Sequence, residues 1–416
     1  MKKSRKNKRL LRAILKSALI VSCLLLLVLT GSIFYLIWSE NQTPDANQIA
    51  GRVTHARPAR TGDAETAPTP ETESEKSGQI SGADTPRADT SAQKKQKQPS
   101  AADTTLLFAG DVYFSDYVLA NYNQSGISGV LSNDLLAEMK QADITMVNNE
   151  FPYSDRGTPA PDKQFTFRIA PAYVSILKES GVDLVTLANN HVLDYGRDAL
   201  NDTFQTLREA GIRYAGAGNS LKRAAKLITK KANGHTFGFL AASRVFPEVS
   251  WNVENAQPGV LSAYDPSLLI AAVESARQTC DFLCVYVHWG IERNTSPEQY
   301  QITMAHALID AGADAVIGAH PHVLQGVEIY QEKPIFYSLG NFIFYQSIER
   351  TAVAKLTFTA DRQASWQLLP AKAAGACTSL LTEPEACLEF YEYLSGLSYD
   401  VTFSADGTVA PKRNEP

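Results

Sequence analysis

The chain has 416 residues, of which 44% are hydrophobic, and its formal net charge is −5. This length and hydrophobic content exclude a wholly disordered chain and a small disulfide-held scaffold, because neither has a core of the size they permit. A net acidic balance argues against a nucleic-acid-binding domain, which needs a basic face to neutralise phosphates, so no nucleic-acid partner is expected. The charge is uneven: residues 1–16 contain eight Lys or Arg and no acid, and residues 17–38 carry no charge.

Residues 17–38 predict a single transmembrane helix, because a helix over this segment spans about 33 Å, close to the hydrocarbon thickness of a bilayer. A cleaved signal peptide is the alternative, but its apolar region is shorter, about 7–15 residues. This segment ends in Phe34, Tyr35 and Trp38, which favour a membrane interface. The basic flank 1–16 predicts a cytoplasmic N-terminus in the cell membrane, with everything after the single pass extracellular.

Residues 39–103 contain no Phe, Trp, Tyr, Leu, Met or Cys. Such a segment cannot bury enough apolar surface to offset its ordering entropy, so it is predicted to be a disordered tether. Among the later cysteines, Cys284 lies within an apolar run and is expected in the core. Cys377 and Cys387 either form a disulfide, which is allowed outside the cell, or stay free.

From residue 104 onward, short apolar runs alternate with amphipathic stretches. Strands are predicted at 105–109, 144–147, 184–187, 236–241, 282–287, 315–317 and 335–338, and helices at 134–140, 172–179, 197–210, 267–278 and 297–311. Ser296 is expected to cap the last helix, and Gly181, Gly211 and Gly312 to adopt left-handed helix ends. The alternation predicts an α/β domain over residues 104–350, which the strands and the helix of residues 351–416 complete.

Polar residues follow six of these strands, where open α/β sheets form their sites. The residues are Asp111, Glu150, Asn190, His191, His288, His320, His322 and Asn341. Imidazole, carboxylate and amide groups suit Mn, Zn or Fe, and the set is large enough for one or two divalent ions. The alternative is that each cluster only ends its strand. His320 and His322, read as alternate residues of an extended segment, are predicted to face the same side.

Two other histidines are expected outside this site: His306 on a helix face, and His235 in a solvated turn. Asp194 is expected either to accept the imidazole N–H of His191 or to cap the next helix. Arg168 is expected either to pair with a phosphate or carboxylate of a substrate or to form a surface ion pair. Trp289 and Tyr113 are expected to form apolar walls beside a substrate.

In one order along the chain, seven motifs resemble the sequence blocks of the CapA family of poly-γ-glutamate capsule biosynthesis proteins: AGDVYFSD, NNEFP, FTFRIAP, LANNHVLDYG, VHWGIE, GAHPHVLQGVEIY and YSLGNFIF. The family is similar to calcineurin-like metallophosphoesterases, which implies a four-layer α/β/β/α sandwich with a two-metal site. Tyr113 stands where those enzymes have a His, and Glu150 stands where they have a bridging Asp.

By this resemblance, Asp111 and His322 would bind one ion, and Asn190, His288 and His320 the other. Glu150 would bridge the two ions, and His191 would be the general acid or transition-state donor. The implied function is a metal-dependent hydrolase acting on a phosphate ester or an amide of an anionic cell-surface polymer. The alternative is a non-catalytic accessory subunit of a poly-γ-glutamate synthase or export complex. No P-loop is found in the sequence, so ATP-driven amide synthesis is not expected.

Overall fold

The computed structural model describes residues 102–253 and 257–412. The basic flank, the predicted anchor at 17–38 and the tether up to residue 101 lie outside the described residues. Within the described ranges, no helix is both long enough and apolar enough to cross a bilayer.

The strands, in chain order, are β1 (Thr104–Val112), β2 (Ile144–Asn149), β3 (Leu184–Thr186), β4 (Arg213–Ala215), β5 (Ala217–Gly218), β6 (Ile228–Ala232), β7 (His235–Ser243), β8 (Gly259–Val260), β9 (Phe282–His288), β10 (Ala315–Ala319), β11 (Val327–Tyr330), β12 (Lys333–Phe336), β13 (Asn341–Ile343), β14 (Ile348–Phe358), β15 (Ala364–Ala374), β16 (Cys377–Leu380), β17 (Val401–Phe403) and β18 (Val409–Pro411). The α-helices are α1 (Asp116–Ser125), α2 (Asn133–Gln141), α3 (Val174–Glu179), α4 (Gly196–Glu209), α5 (Leu221–Ala224), α6 (Ser267–Arg277), α7 (Gln299–Asp310) and α8 (Pro384–Leu397).

The first sheet has the order β16-β15-β14-β1-β2-β3-β4, and β13 also pairs with β1. β1 runs parallel to β2 and β13 and antiparallel to β14. The register puts Asp111 of β1 opposite Asn341 of β13. Gly110 permits this close pairing, because a Cβ there would lie 1.8 Å from the carbonyl oxygen of Gly340.

The second sheet has the order β11-β12-β10-β9-β7-β6. Its inner strands β7, β9, β10 and β12 are parallel, and the two edge strands are antiparallel to their neighbours. The register pairs His288 at the end of β9 with Ala319 at the end of β10. The residues after both strands therefore emerge at the same edge of this sheet.

The two sheets pack face to face. Phe108 of β1 lies 6.4 Å from Phe239 of β7, and Phe336 of β12 lies 5.3 Å from Trp366 of β15, measured between ring centroids. The opposite face of β9 carries Val285 and Val287, which pack in a second core with α6 and α7. Helices α2 and α4 contribute their buried side chains to the core of the first sheet. The described residues thus form a mixed α/β fold built on two facing sheets.

Each predicted strand and helix has a counterpart in the structure, with ends shifted by a few residues. The left-handed helix ends are confirmed, since φ is 79° at Gly181, 79° at Gly211 and 113° at Gly312. The predicted cap at Ser296 is wrong. Glu298 caps α7 instead, because its side chain and that of Gln301 form a reciprocal capping box.

Cys284 is buried in β9, as predicted, while Cys377 and Cys387 are both free thiols. His306 lies on α7, where its ring stacks on Tyr330 and its Nε2 lies 2.8 Å from Glu328 Oε1. The prediction of a solvated turn at His235 is wrong. This residue is buried as the first residue of β7, because the hairpin with β6 closes through it.

Candidate metal centre

The polar residues at the strand ends meet at one edge of the two sheets. The first sheet supplies Asp111 within β1 and Glu150 directly after β2, and the loop after β3 supplies Asn190 and His191. The second sheet supplies His288 at the end of β9, followed by His320 and His322 after β10. Contacts between these side chains cross from one sheet to the other, so the predicted residues are brought together.

One potential ligand group consists of Asp111, Glu150 and His322, each with a ligand atom within 4.8 Å of the others. His322 Nδ1 lies 3.1 Å from Asp111 Oδ2, and its Nε2 lies 3.9 Å from Glu150 Oε2. Both carboxylates are fully buried. Two oxygen ligands and one nitrogen ligand at this separation can hold a divalent cation.

A second group consists of Glu292, His320 and His322, again with ligand atoms within 4.8 Å of one another. His322 therefore belongs to both groups. The sequence reasoning did not assign Glu292, which lies on an exposed loop after β9. The sequence signal for Glu292 was its position as the last residue of the motif VHWGIE.

His320 and His322 do not belong to an extended strand, so that prediction is wrong. β10 ends at Ala319, and φ is 98° at His320 and 60° at His322. The turn between them still brings both imidazoles to the site, with ring centroids 5.9 Å apart. Positive φ at a residue other than glycine is strained, and such strain clusters at functional sites.

Asn190 and His288, expected beside His320 on one ion, contact each other. His288 Nε2 lies 2.8 Å from Asn190 Oδ1 and 3.3 Å from Glu150 Oε1. His288 belongs to neither of the two ligand groups of the described residues. His288 thus contacts both Asn190 and Glu150 and joins the second sheet to the first at this centre.

Asn148 is a central residue that the sequence reasoning missed. Its Nδ2 lies 2.8 Å from Asp111 Oδ1, 3.1 Å from Glu150 Oε1 and 3.1 Å from His288 Nδ1. Asn189 donates a hydrogen bond of 3.0 Å to the Oδ1 of Asn148 and so fixes the orientation of this amide. The available signal was the spacing of Asn148 and Glu150, because alternate residues of an extended segment share a face.

The two carboxylates of the centre are both buried and close enough to repel each other. Burial and the nearby Asp111 carboxylate raise the pKa of Glu150 well above its usual range. Glu150 Oε2 and His320 Nδ1 are both buried, and within the described part of the chain neither has a hydrogen-bond partner. An unpartnered buried acceptor is costly, and a cation bound here would relieve that cost. The residues present therefore fit a divalent metal.

Burial and neighbouring charges shift the pKa values of the histidines in different directions. Burial, followed by the repulsion of His322, lowers the pKa of His320 to about 3. Burial alone would also lower the pKa of His322, but the carboxylates of Glu150 and Asp111 outweigh it and raise this pKa to about 9. Burial also lowers the pKa of His288. The ligand His320 is thus held neutral, which is the form that binds metal, whereas His322 must lose its proton when an ion binds.

His191 and Asp194 form a buried hydrogen-bonded pair, which is one of the two alternatives predicted for Asp194. The Nδ1 of His191 lies 2.7 Å from Asp194 Oδ2, so the carboxylate can accept the N–H and fix the tautomer. Asp194 also accepts a hydrogen bond from the backbone N–H of Phe167 and forms an ion pair with Lys163. The Phe167 ring stacks on His191, with centroids 4.2 Å apart.

The cation beside this pair is Lys163, which the sequence reasoning missed because no motif marks its loop. Its Nζ lies 3.0 Å from His191 Nδ1 and donates to the carbonyl oxygen of Asn190. Arg168 lies elsewhere: its guanidinium donates to the carbonyl oxygens of Arg156 and Gly157 and stacks on Tyr195.

Trp289 is not a wall of the site, so that expectation is corrected. The side chain is fully buried, and its Nε1 donates a hydrogen bond of 2.9 Å to the carbonyl oxygen of Tyr337. Tyr113 does lie beside the site, stacked on Phe167 at 3.9 Å. Burial and the charge of Asp116 raise the pKa of Tyr113 to about 12, so its hydroxyl stays protonated.

The fold and the site define a mixed α/β protein with a candidate divalent-metal centre at the edge of two facing sheets. Residues 105–346 match the family model described as "Bacterial capsule synthesis protein PGA_cap". More than half of the chain is matched, so the chain belongs to this family.

Two CapA proteins are similar to the chain. The "Capsule biosynthesis protein CapA" of Bacillus anthracis is 32% identical over 254 residues, 59% of this chain and 61% of that protein. The "PGA biosynthesis protein CapA" of Bacillus subtilis is 34% identical over 249 residues, 59% of this chain and 64% of that protein. The chain thus spans about three fifths of the length of these relatives.

A further relative is a "Probable polyglutamine synthesis accessory protein" of Mycobacterium tuberculosis, 32% identical over 215 residues, 50% of this chain and 57% of that protein. Among solved structures, a hypothetical protein of Thermus thermophilus has a TM-score of 0.41 at 18% identity, covering 64% of this chain and 99% of that one. The NAD nucleotidase of Haemophilus influenzae has a TM-score of 0.42 at 13% identity, covering 71% and 57%.

Proposed function

We propose that this protein is a membrane-anchored, extracytoplasmic metallohydrolase of capsule or poly-γ-glutamate biosynthesis. It would cleave a phosphate ester or an amide in an anionic cell-surface polymer. The observation that carries the proposal is the pair of ligand groups that share His322, set beside the His191–Asp194 pair. Membership of the capsule synthesis family supplies the biological context.

The proposal includes a location and a fold type. The uncharged segment 17–38 after a basic flank supports a single-pass anchor with an extracellular C-terminal domain. The two facing sheets, with helices packed against their cores, support a four-layer sandwich of the metallophosphoesterase type. Imidazole nitrogens mixed with carboxylate oxygens support Mn, Zn or Fe as the metal.

Different residues of the chain would have different roles at this centre. Asp111, Glu150 and His322 would hold an ion, or Glu292, His320 and His322 would hold it, because a neutral imidazole has one free lone pair and binds one ion at a time. When bound, the metal supplies Lewis-acid polarisation of a phosphoryl or acyl oxygen. Asp194 holds the proton on His191 Nδ1, which leaves Nε2 to exchange a proton with the reacting group. Lys163 fixes Asp194 and the backbone of Asn190, and so keeps this imidazole oriented.

Replacement of His320 by Ala tests the catalytic proposal. The full chain is expected to retain metal through dialysis and to hydrolyse a phosphodiester or a γ-glutamyl substrate. The variant is expected to lose the ion of the Glu292 group and to reduce turnover about a hundredfold or more, because one direct ligand is gone. Metal analysis and initial rates on the same samples measure both effects. Wild-type activity in this variant would contradict the proposal.

The second candidate function is an accessory subunit of a poly-γ-glutamate synthase or export complex. The printed description of the Mycobacterium tuberculosis relative as an accessory protein favours it. This second function predicts that the metal-loaded chain hydrolyses neither a phosphodiester nor a γ-glutamyl substrate. It also predicts that the chain copurifies from membranes with synthase subunits. Turnover by the isolated chain favours the hydrolase instead.

A further inference from the structure

A cavity of about 320 Å³ lies where the edge strands of the two sheets approach each other. Its lining includes Arg213 and Tyr214 of β4, the edge strand of the first sheet, and Ile228 of β6, the edge strand of the second. Arg208 in the last turn of α4 and Arg223 of α5 complete the charged part of the lining. The residues that line this cavity include three arginines and no Asp or Glu.

The cavity lies at the opposite end of the parallel strands from the metal centre. Arg213 is the first residue of β4 and pairs with Leu184, the first residue of β3. Asn190 and His191 instead follow the last residue of β3. No residue of the metal centre lines the cavity, so a small ligand bound there would occupy a second, separate site.

Carboxylates do not neutralise the three guanidinium groups of this cavity. Within the described ranges, the ion pairs of arginine are formed by four other residues, which are Arg156, Arg277, Arg350 and Arg362. Three unpaired positive charges around one cavity stand out in a chain whose formal net charge is −5. A cavity lined by charges of one sign concentrates ligands of the opposite sign.

Two of the three guanidinium groups are already fixed in position. Arg223 stacks over the Tyr214 ring, with its Cζ 4.0 Å from the ring centroid, and its Nη2 donates a hydrogen bond of 3.2 Å to the carbonyl oxygen of Tyr214. The Tyr214 ring is itself stacked on Phe204, with centroids 4.8 Å apart. Arg213 donates through its Nη1 to the carbonyl oxygen of Thr229 in β6. Donors held in this way lose little conformational freedom when a ligand binds.

Donor capacity remains unused at this cavity. The Nη1 of Arg223 is buried, and in the described part of the chain it has no hydrogen-bond partner. A buried donor without a partner is unfavourable, so its presence beside a cavity is a reason to expect an acceptor from a ligand. Arg208 is exposed, and its guanidinium forms no hydrogen bond with any described residue.

We infer that this cavity is an anion site that binds a phosphoryl group between the guanidinium groups of Arg208, Arg213 and Arg223. Guanidinium groups bind carboxylate and phosphate oxygens through paired hydrogen bonds. A carboxylate has two oxygens in one plane and a single charge, so it does not match three guanidinium groups. A terminal phosphoryl group carries up to two charges and three acceptor oxygens, so it offers one oxygen to each arginine. The group belongs either to a soluble phosphate or to the headgroup of an anionic lipid, and its binding does not depend on the metal centre.

The test measures the binding of inorganic phosphate to the full-length chain in a neutral detergent by isothermal titration calorimetry. Each titration is run with and without EDTA, because phosphate held by a metal ion is lost with that ion, whereas phosphate in the cavity is retained. Arg208→Gln is expected to weaken the EDTA-resistant binding about tenfold, because a charge-assisted hydrogen bond is lost. The matched control Arg362→Gln removes a charge that is already paired with Asp281, and its affinity should stay within about twofold of the wild type.

Equal EDTA-resistant binding by the wild type and Arg208→Gln overturns the inference, and so does the absence of such binding from the wild type. Acetate should bind at least about tenfold more weakly than phosphate, and equal affinity for acetate would overturn the ligand class. Arg208→Lys, which keeps the charge but not the paired donors, should recover part of the affinity. Because Arg208 is exposed, its variants should keep the unfolding temperature of the wild type.

A water-soluble, short-chain phosphatidic acid distinguishes the two sources of the phosphoryl group. An affinity at least about tenfold above that of inorganic phosphate, with the same loss in Arg208→Gln, supports a lipid headgroup. An equal or lower affinity supports a soluble phosphate. Short-chain phosphatidylcholine has the same acyl chains but no terminal phosphoryl group, so it should not bind. If it binds as tightly as the phosphatidic acid, the acyl chains are recognised instead and the inference is wrong.

Discussion

Substitution of His322 by Ala is expected to remove the bound ion whichever of the two groups holds it, because this imidazole belongs to both ligand groups. Each remaining group would keep two ligands, and the loss of a direct ligand weakens metal binding by about a hundredfold or more. Inductively coupled plasma mass spectrometry of the dialysed full chain measures the metal content. His320→Ala, which affects one group only, should give an intermediate value.

His306→Ala is the matched control for His322→Ala. His306 contacts Glu328 and Tyr330 on the outside of α7 and takes no part in either ligand group. Its metal content should equal that of the wild type. Wild-type metal content in His322→Ala, or an equal loss in the control, would show that neither group holds the ion.

Gly110→Ala is expected to lower the free energy of unfolding by about 3 kcal/mol or more. The added Cβ would lie 1.8 Å from the carbonyl oxygen of Gly340, and backbone atoms cannot move aside as a flexible side chain can. The strain would fall on the pairing of Asp111 with Asn341, so metal binding should weaken as well. Chemical denaturation of the metal-free chain gives the first effect, and metal titration gives the second.

The same substitution at Gly396 is expected to have the opposite effect. Gly396 lies in α8, and a Cβ there would have no neighbouring atom within 4 Å. Alanine in a helix is more stable than glycine by about 0.5–1 kcal/mol, so Gly396→Ala should raise the free energy of unfolding. A comparable loss of stability in both variants would exclude the proposed clash at Gly110.

The strand ends were predictable from the sequence, because buried strands read as apolar runs and the polar residue after each run stands out. Alternation along the strand could also have placed Trp289. His288 faces the site from the end of β9, so the next residue turns toward the helix-covered core, where Trp289 lies with Tyr337. Outside the strands this argument does not apply: Phe167 stacks on His191 and its neighbour Arg168 stacks on Tyr195, in a segment without regular structure.

The remaining site residues depend on tertiary contacts that no local pattern encodes. Lys163 and Glu292 reach the centre from loops, where neither periodicity nor a motif fixes the direction of a side chain. Asn148 lies two residues before Glu150, which was predicted, but its importance comes from contacts with both sheets. The turn at His320 and His322 was also hidden, because both backbones adopt a conformation that their residue type disfavours.

The left-handed turn at His320 and His322 lowers the stability of the fold in exchange for a functional group at the site. At a φ of 98°, glycine would suit position 320 better than any other residue, yet glycine carries no ligand atom. The protein therefore gives up conformational free energy in the metal-free state to keep an imidazole there. Selection for heat resistance alone would favour His320→Gly. Retention of histidine under that selection would indicate that the function of the protein requires this imidazole.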